Sequence, residues 1–444
     1  MRQQYLKPSA VGVATTRCSA LDAMLVMAYP MFTICYPERI DPERLRESLL
    51  RVLGDFGAYS GRLRRSGTDL FIDHGRGGAL FELAESSQTS AELCSALRTR
   101  HSRLSCPNIA PLRAARGKEP LLAVRLTHTP DGCALGVTWS HAVGDFYSMM
   151  LLVRAWSAAY RGQSYEKPLE VGERDLFLDE HLPRWQGEPG WQLLSWFELA
   201  RNFYRLARVG FPRRRVTLEL SGADVAAIHA SALRGGQVTI NDAITAHLAA
   251  LLYRAGGGSV SPNFATAIEY RKRLGLPARL LGNLSDLVTV TGDPGDDAST
   301  LARALRRSVN AFGKGPFMQR ELLQLVAAHP RFSERMRYWR TSTDPHRVNL
   351  NFTNIAGSQD AQPSFEAAPP STWHWRATDL MAPGLACVFD APGGGQLVDA
   401  VLPVRVARAL SEIPYRAPLP VPTNGTRQVL APGAGAPADL QPGP

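Results

Sequence analysis

The chain has 444 residues, 45% of them hydrophobic, and a formal net charge of +10; that length exceeds one ordinary core, so two domains are expected. It contains no run of 18 or more apolar residues to span a membrane, and its N-terminus, MRQQYLKPSAVGVATTR, lacks the compact apolar stretch and cleavage site of a secretory leader. Cys18, Cys35, Cys94, Cys106, Cys133 and Cys387 form no C-x-x-C pair and no cluster with histidine, so the chain reads as a reduced cytoplasmic protein with neither a metal site nor a disulfide framework.

Residues 21–36 form an apolar opening, read as a short helix and then a strand. Residues 41–56 read as a helix with Asp41 as N-cap and Pro42 at the first helical position. LFIDH (70–74) reads as a strand. Residues 120–127 and 133–140 read as two strands joined by the turn Thr129-Pro130-Asp131-Gly132. A helix is expected over 146–160, closed by Arg161-Gly162. The segment 163–215 is rich in proline and tryptophan and reads as a crossover ending in a helix. Within 190–211, Trp196, Phe197, Phe203 and Tyr204 alternate with Arg201, Arg205 and Arg208, a pattern suited to a peripheral membrane contact or to packing at a domain interface. The second half opens with a strand (216–220) and a helix from Ser221. A further helix starts near Thr239 or Asn241, and a strand runs over 264–270. From residue 416 the chain is rich in Pro, Gly and Ala, the composition of a disordered tail.

The positive charge gathers at residues 62–65, 213–215 and 303–307. Such groups attract phosphate, anionic lipid or an acidic partner. No recognised nucleic-acid motif accompanies them, so nucleic acid is not an expected partner.

VTWSHAVGDFYS (137–148) carries the chemistry. His141 falls where a strand ends and a helix begins, Gly144 permits a tight turn, and Asp145 stands where an N-cap is wanted. Imidazole titrates near neutrality, which suits a general base that removes a proton from an attacking hydroxyl and returns it to a leaving thiolate. Asp145 has a separate task, holding the loop by pairing with an arginine.

This segment does not stand alone. DPERLRESLLRVLGDFGAYSGRLRR, LFIDHGRGGALFELAES, PLLAVRLTHTPDGCALGVTWSHAVGDFYSMMLLVRAWSAAYRG, TINDAITAHLAALL and ATAIEYRKRLGLP with LLGN follow in order. Over about residues 20–410 the sequence resembles the BAHD-type acyltransferases, within the superfamily of condensation domains and chloramphenicol acetyltransferase. Ser140 and Phe146 depart from that family's commonest motif, the plant-type D-F-G-W-G segment is absent, and TNIAG (353–357) looks closer to wax-ester-synthase and condensation-type relatives. The pattern suits a divergent microbial member.

The resemblance implies an α/β fold of two similar chloramphenicol acetyltransferase-like domains, each a mixed sheet with flanking helices, and an active-site channel between them. The expected divisions are 1–185, a crossover at 186–215, 216–415, and a tail at 416–444. It implies His141 as general base, Asp145 as its structural partner, Arg271 salt-bridging Asp145, Arg273 as a second family arginine, and Gly282 and Asn283 as a structural turn. Thr353 and Asn354 are candidates for the oxyanion or channel, and Arg303, Arg306 and Arg307 for coenzyme A phosphates. It implies a monomer with no permanently bound cofactor, using acyl-CoA as co-substrate and a small alcohol or amine as acceptor, in secondary or lipid metabolism. An acyl carrier protein could replace acyl-CoA in a condensation or chain-release enzyme, and a non-catalytic binding module of the same fold is the remaining alternative.

Overall fold

The computed structural model describes residues 1–97, 102–184, 190–234, 236–256, 263–293, 295–312, 318–329, 334, 337–357, 363–366, 370–376, 384–391, 394–413 and 415–416. The first half runs β1 (Arg2–Leu6), β2 (Thr15–Arg17), α1 (Ala20–Met24), β3 (Met31–Tyr36), α2 (Pro42–Asp55), β4 (Arg62–Ser66), β5 (Asp69–Asp73), β6 (Ala79–Glu85) and α3 (Ser90–Ala96). It continues with α4 (Ser102–Ser105), α5 (Pro111–Ala114), β7 (Leu122–Thr129), β8 (Gly132–Trp139), α6 (Phe146–Tyr160) and α7 (Arg174–His181). After β9 (Trp191–Leu193) and α8 (Trp196–Gly210) come β10 (Arg213–Leu220), α9 (Gly222–Leu233), α10 (Ile240–Ala255), β11 (Asn263–Glu269) and β12 (Ser285–Thr291). The remainder is α11 (Ala298–Asn310), α12 (Met318–Ala328), β13 (Tyr338–Arg340), β14 (Leu350–Asn354), β15 (Thr372–Arg376), β16 (Leu385–Ala391), β17 (Gly395–Pro403) and a last helix, Val404–Ser411. The expected tail lies outside the described residues from 417 onward, and no described helix is long and apolar enough to cross a membrane.

Local chemistry sets the helix starts. The Asp41 carboxylate accepts from the Arg44 N–H with Pro42 in the first turn, and Thr239, not Asn241, caps α10 in a reciprocal box with Asp242. The expected hairpin is β7–β8, turning at Gly132 with φ +141°.

Two six-stranded mixed sheets organise the molecule, in the orders β1-β6-β7-β8-β3-β15 and β10-β17-β16-β14-β11-β12. Each combines antiparallel neighbours with parallel pairings: β6–β7 in the first, and β11–β14 and β14–β16 in the second. The first core joins its sheet to α2 and α6. The second lies between its sheet and α9, α10, α11 and the last helix. Strand alternation joins the halves. On β16 and β17, Val388, Val398 and Ala400 enter the second core, while Cys387, Phe389 and Leu397 enter the first.

Two findings differ from the sequence reading. Strand β15 falls within 216–415, yet it pairs antiparallel with β3 and completes the first sheet. Cys35 and Cys94 are joined by a disulfide, where only separate thiols were expected. Their separation of 59 residues hides a contact that exists because α3 packs on β3.

β15 is held by aromatic packing. Trp375 lies 4.6 Å from Phe32, 5.2 Å from Trp373 and 4.6 Å from Phe146, ring centre to ring centre. Large-to-small changes at such sites leave cavities. Trp375→Ala should therefore lower unfolding stability by about 3–5 kcal/mol in urea titrations, because the ring links β15, β3 and the start of α6.

Candidate active site

Strand β8 ends at Trp139. Three further backbone N–H bonds, from Trp139 to the Pro30 carbonyl, from Ser140 to Leu121 and from His141 to Ala28, carry the chain straight into the motif loop. α6 then begins, capped by Asp145, whose Oδ1 accepts from the Ser148 N–H at 2.8 Å. His141 is thereby fixed on a tight turn, half-buried, between a strand end and a helix start.

The Asp145 carboxylate meets the Arg271 guanidinium in a bidentate pair, with Nη1 to Oδ2 at 3.0 Å and Nη2 to Oδ1 at 3.2 Å. Arg271 is 2% exposed and Asp145 5%, so neither charge could tolerate losing the other. The Leu284 N–H also donates to Asp145, and Arg271 donates to the carbonyls of Leu280 and Gly282 and to Glu269. Burial alone would raise the Asp145 pKa, but the Arg271 charge and these donors hold it below the ordinary aspartate value. Burial would lower Arg271, and Asp145 and Glu269 together raise it. The Tyr147 ring packs on the guanidinium, 4.8 Å from its Cζ.

Gly144 is needed for space, whereas the sequence reading assigned it turn freedom. It has no positive φ; a Cβ there would lie 2.7 Å from Ser148 Cβ. Gly282, with φ +139°, is the glycine in the left-handed region. The Ser148 hydroxyl links the elements, donating to the Gly282 carbonyl and accepting from the Gly282 N–H and Arg271.

Asn283, read from sequence as part of a turn, touches the histidine directly. Its Nδ2 donates to Asp22 Oδ1 at 2.6 Å and to the His141 carbonyl at 2.8 Å. Both partners can only accept, so the amide orientation is set and Oδ1 faces His141 Nδ1 at 2.9 Å. Nδ1 must then carry the proton, leaving the lone pair on Nε2, which meets no hydrogen-bond partner among the described residues. A second buried ion pair supports this network. Arg174 Nη1 lies 2.9 Å from Asp22 Oδ2, and the same guanidinium donates to the carbonyls of Ala142 and Val143. Gln319 donates to the Asn283 carbonyl at 2.5 Å and accepts from the Tyr270 hydroxyl. Asp22, Arg174 and Gln319 escaped the sequence reading; Asp22 sits in a capping box at α1, a local role that masks the distant one.

Among the described residues, no hydrogen bond joins the other candidates to His141. Thr353 and Asn354 end β14; Asn354 Nδ2 is buried without a hydrogen-bond partner among the described residues. On α11, Arg303 bonds Ser299 and Thr300 of its own helix, Arg306 pairs with Asp242, and Arg307 is exposed. Arg273 lies in the short turn after Arg271 and is exposed. Cys133 is buried at the far end of β8, with its thiol pushed up to about 11 by burial.

This fold, two mixed sheets joined across a motif loop, is that of the chloramphenicol acetyltransferase-like acyltransferases. Residues 14–186 match the Transferase family model. Vinorine synthase of Rauvolfia serpentina is 25% identical over 180 residues, 36% of this chain and 41% of that protein. Rosmarinate synthase of Plectranthus scutellarioides is 30% identical over 147 residues, 32% of this chain and 33% of that protein. The chain's matches to these curated relatives thus span less than half of each relative's length. The solved F. sporotrichioides TRI101, complexed with coenzyme A and T-2, superposes with a TM-score of 0.70 at 15% identity, over 90% of this chain and 97% of that one.

The ion pair has a defined acid signature. The folded Asp145 carboxyl ionises at lower pH than in the unfolded chain, so its stabilisation is complete above the unfolded aspartate value and is lost as pH falls through the folded one. Asp145→Asn and Arg271→Met should each cost about 3–5 kcal/mol in urea titrations at pH 7. The double variant should lose less than the sum, and Asp145→Asn should flatten the acid limb of stability against pH.

Proposed function

We propose that this chain is an acyltransferase that moves an acyl group from acyl-CoA to the hydroxyl or amine of a small acceptor, with His141 as general base. One observation carries the reading: the Asn283 amide, oriented by Asp22 and the His141 carbonyl, presents the imidazole as a base at Nε2. A histidine serving only as core filler would not require a buried carboxylate–amide relay to fix its tautomer.

In the reaction, Nε2 takes the proton from the acceptor O–H or N–H as that atom bonds to the thioester carbonyl carbon. The tetrahedral oxyanion collapses, the C–S bond breaks, and the imidazolium returns its proton to the leaving thiolate. No protein nucleophile is required, and the raised Cys133 thiol at the far end of the strand is unsuited to be one. Asp145 and Arg271 are positioning residues that hold the loop. Asn354 Nδ2, a buried donor without a partner among the described residues, is the proposed oxyanion donor, with Thr353 beside it on β14.

Thiol release from a panel of acyl-CoA esters, mixed with alcohol and amine acceptors, tests the reading. Wild type should release thiol, and His141→Ala should lose about 10²–10⁴-fold in kcat while keeping its fold. Asn283→Leu should lower kcat with little change in KM and displace the pH–rate profile, since the imidazole loses its oriented acceptor. Release only from acyl carrier protein thioesters would move the donor to that class. No release from any donor, with wild type equal to His141→Ala, would make the protein a binding module.

A further inference from the structure

Helix α8 presents an exposed aromatic face. Leu199, Asn202 and Gly210 are buried, Leu206 packs beside Trp339, and the Phe203 ring meets Trp339 edge-on at 5.9 Å. These contacts fix one side of the helix to the body. The rest of the circumference carries two adjacent stripes at helical spacing, the nearer of them including Phe203 at the edge of the body contact. One holds Trp196, Ala200, Phe203, Ala207 and Phe211; the other holds Phe197, Arg201, Tyr204 and Arg208. Trp196, Phe197, Phe203, Tyr204 and Phe211 are between 53% and 74% exposed, an aromatic surface that a water-facing helix does not normally present.

The charges are interleaved with the rings. Arg201 lies 5.8 Å from the Phe197 ring centre, Arg213 lies 3.9 Å from that of Phe211, and Arg337 lies 5.9 Å from that of Trp196. Glu198 is the one acidic residue in α8, and it is spent on the Ser195 cap. Aromatic rings seat at the boundary between acyl chains and headgroups, and guanidinium groups at that depth meet lipid phosphates. An apolar cavity of about 450 Å³ opens beside the helix, between Leu206, Gly210 and Phe211 on one side and Val348 and Asn351 on the other.

We propose that α8 docks the protein on an anionic lipid bilayer, with its aromatic stripes in the interface and its arginines on the headgroup phosphates. Charge complementarity selects this occupant over a second copy of the chain. In a two-fold pairing of α8 with itself, Arg201, Arg205 and Arg208 would face their own counterparts, and like charges would oppose the contact.

Cosedimentation of the full chain with vesicles tests the proposal. Vesicles of phosphatidylcholine with phosphatidylglycerol should bind at least tenfold more tightly than phosphatidylcholine alone, and the excess should fall as salt rises. Arg201→Glu with Arg205→Glu should remove that excess, since each arginine near an anionic surface is worth roughly fivefold in partitioning. Phe197→Ser with Tyr204→Ser should weaken binding at least tenfold to both vesicle types. These side chains are exposed or half-buried, so all variants should keep the wild-type circular dichroism and melting. Equal partitioning to both vesicle types, or double variants that bind like wild type, would overturn the proposal. So would a dimer in light scattering that the aromatic double variant dissolves while the wild type ignores vesicles.

Discussion

The buried contact between Asp145 and Arg271 is the constraint on which the rest of the site depends. It joins the residue that caps the start of α6 in one half to Arg271, two residues beyond the end of β11, in the other. Two desolvated ions separated by rearrangement would each lack a partner, so the two halves are held in one register. That register brings the Gly282–Leu284 segment against the motif loop. Asn283 can reach His141 only because Gly282 and Leu284 on either side are already bonded to Ser148 and Asp145.

Around this contact the polar groups divide their tasks. Asp145 makes no hydrogen bond to the imidazole; it caps the start of α6 and holds an arginine. The orientation of the ring comes from Asn283, whose amide is itself set by Asp22 and Arg174. The motif thus has two carboxylates behind it, one inside the short pattern and one far away in α1, each neutralised by an arginine from a different element. Both ion pairs are closed off from water, and the histidine is half-exposed.

Much of the fold was legible wherever the cause is local. Asp41 with Pro42, the Gly132 turn, Asp145 before Phe146 and Thr239 before Asp242 each mark an element within a few residues, and α2, β7–β8, α6 and α10 follow them. The Arg271–Asp145 pairing was legible only through family resemblance. What escaped depends on contacts across long separations. Nothing in TWHWR marks β3 as its partner, nothing in LDAM marks Arg174, and Arg306 reads as a free cation although the α10 cap holds it. Gly144 was found for the wrong reason, because the room a side chain has cannot be read from its neighbours in sequence.

The placement of β15 bears on how the chain acquires its site. The first sheet, with the strand that leads into the histidine loop at its heart, keeps one open flank along β3 until a segment from near the end of the described chain arrives to cover it. A nascent polypeptide leaving the ribosome would therefore hold its histidine loop on an unfinished platform until residues 372–376 emerge. The stretch that matches the family model, residues 14–186, thus carries the motif without β15, the strand that covers this flank.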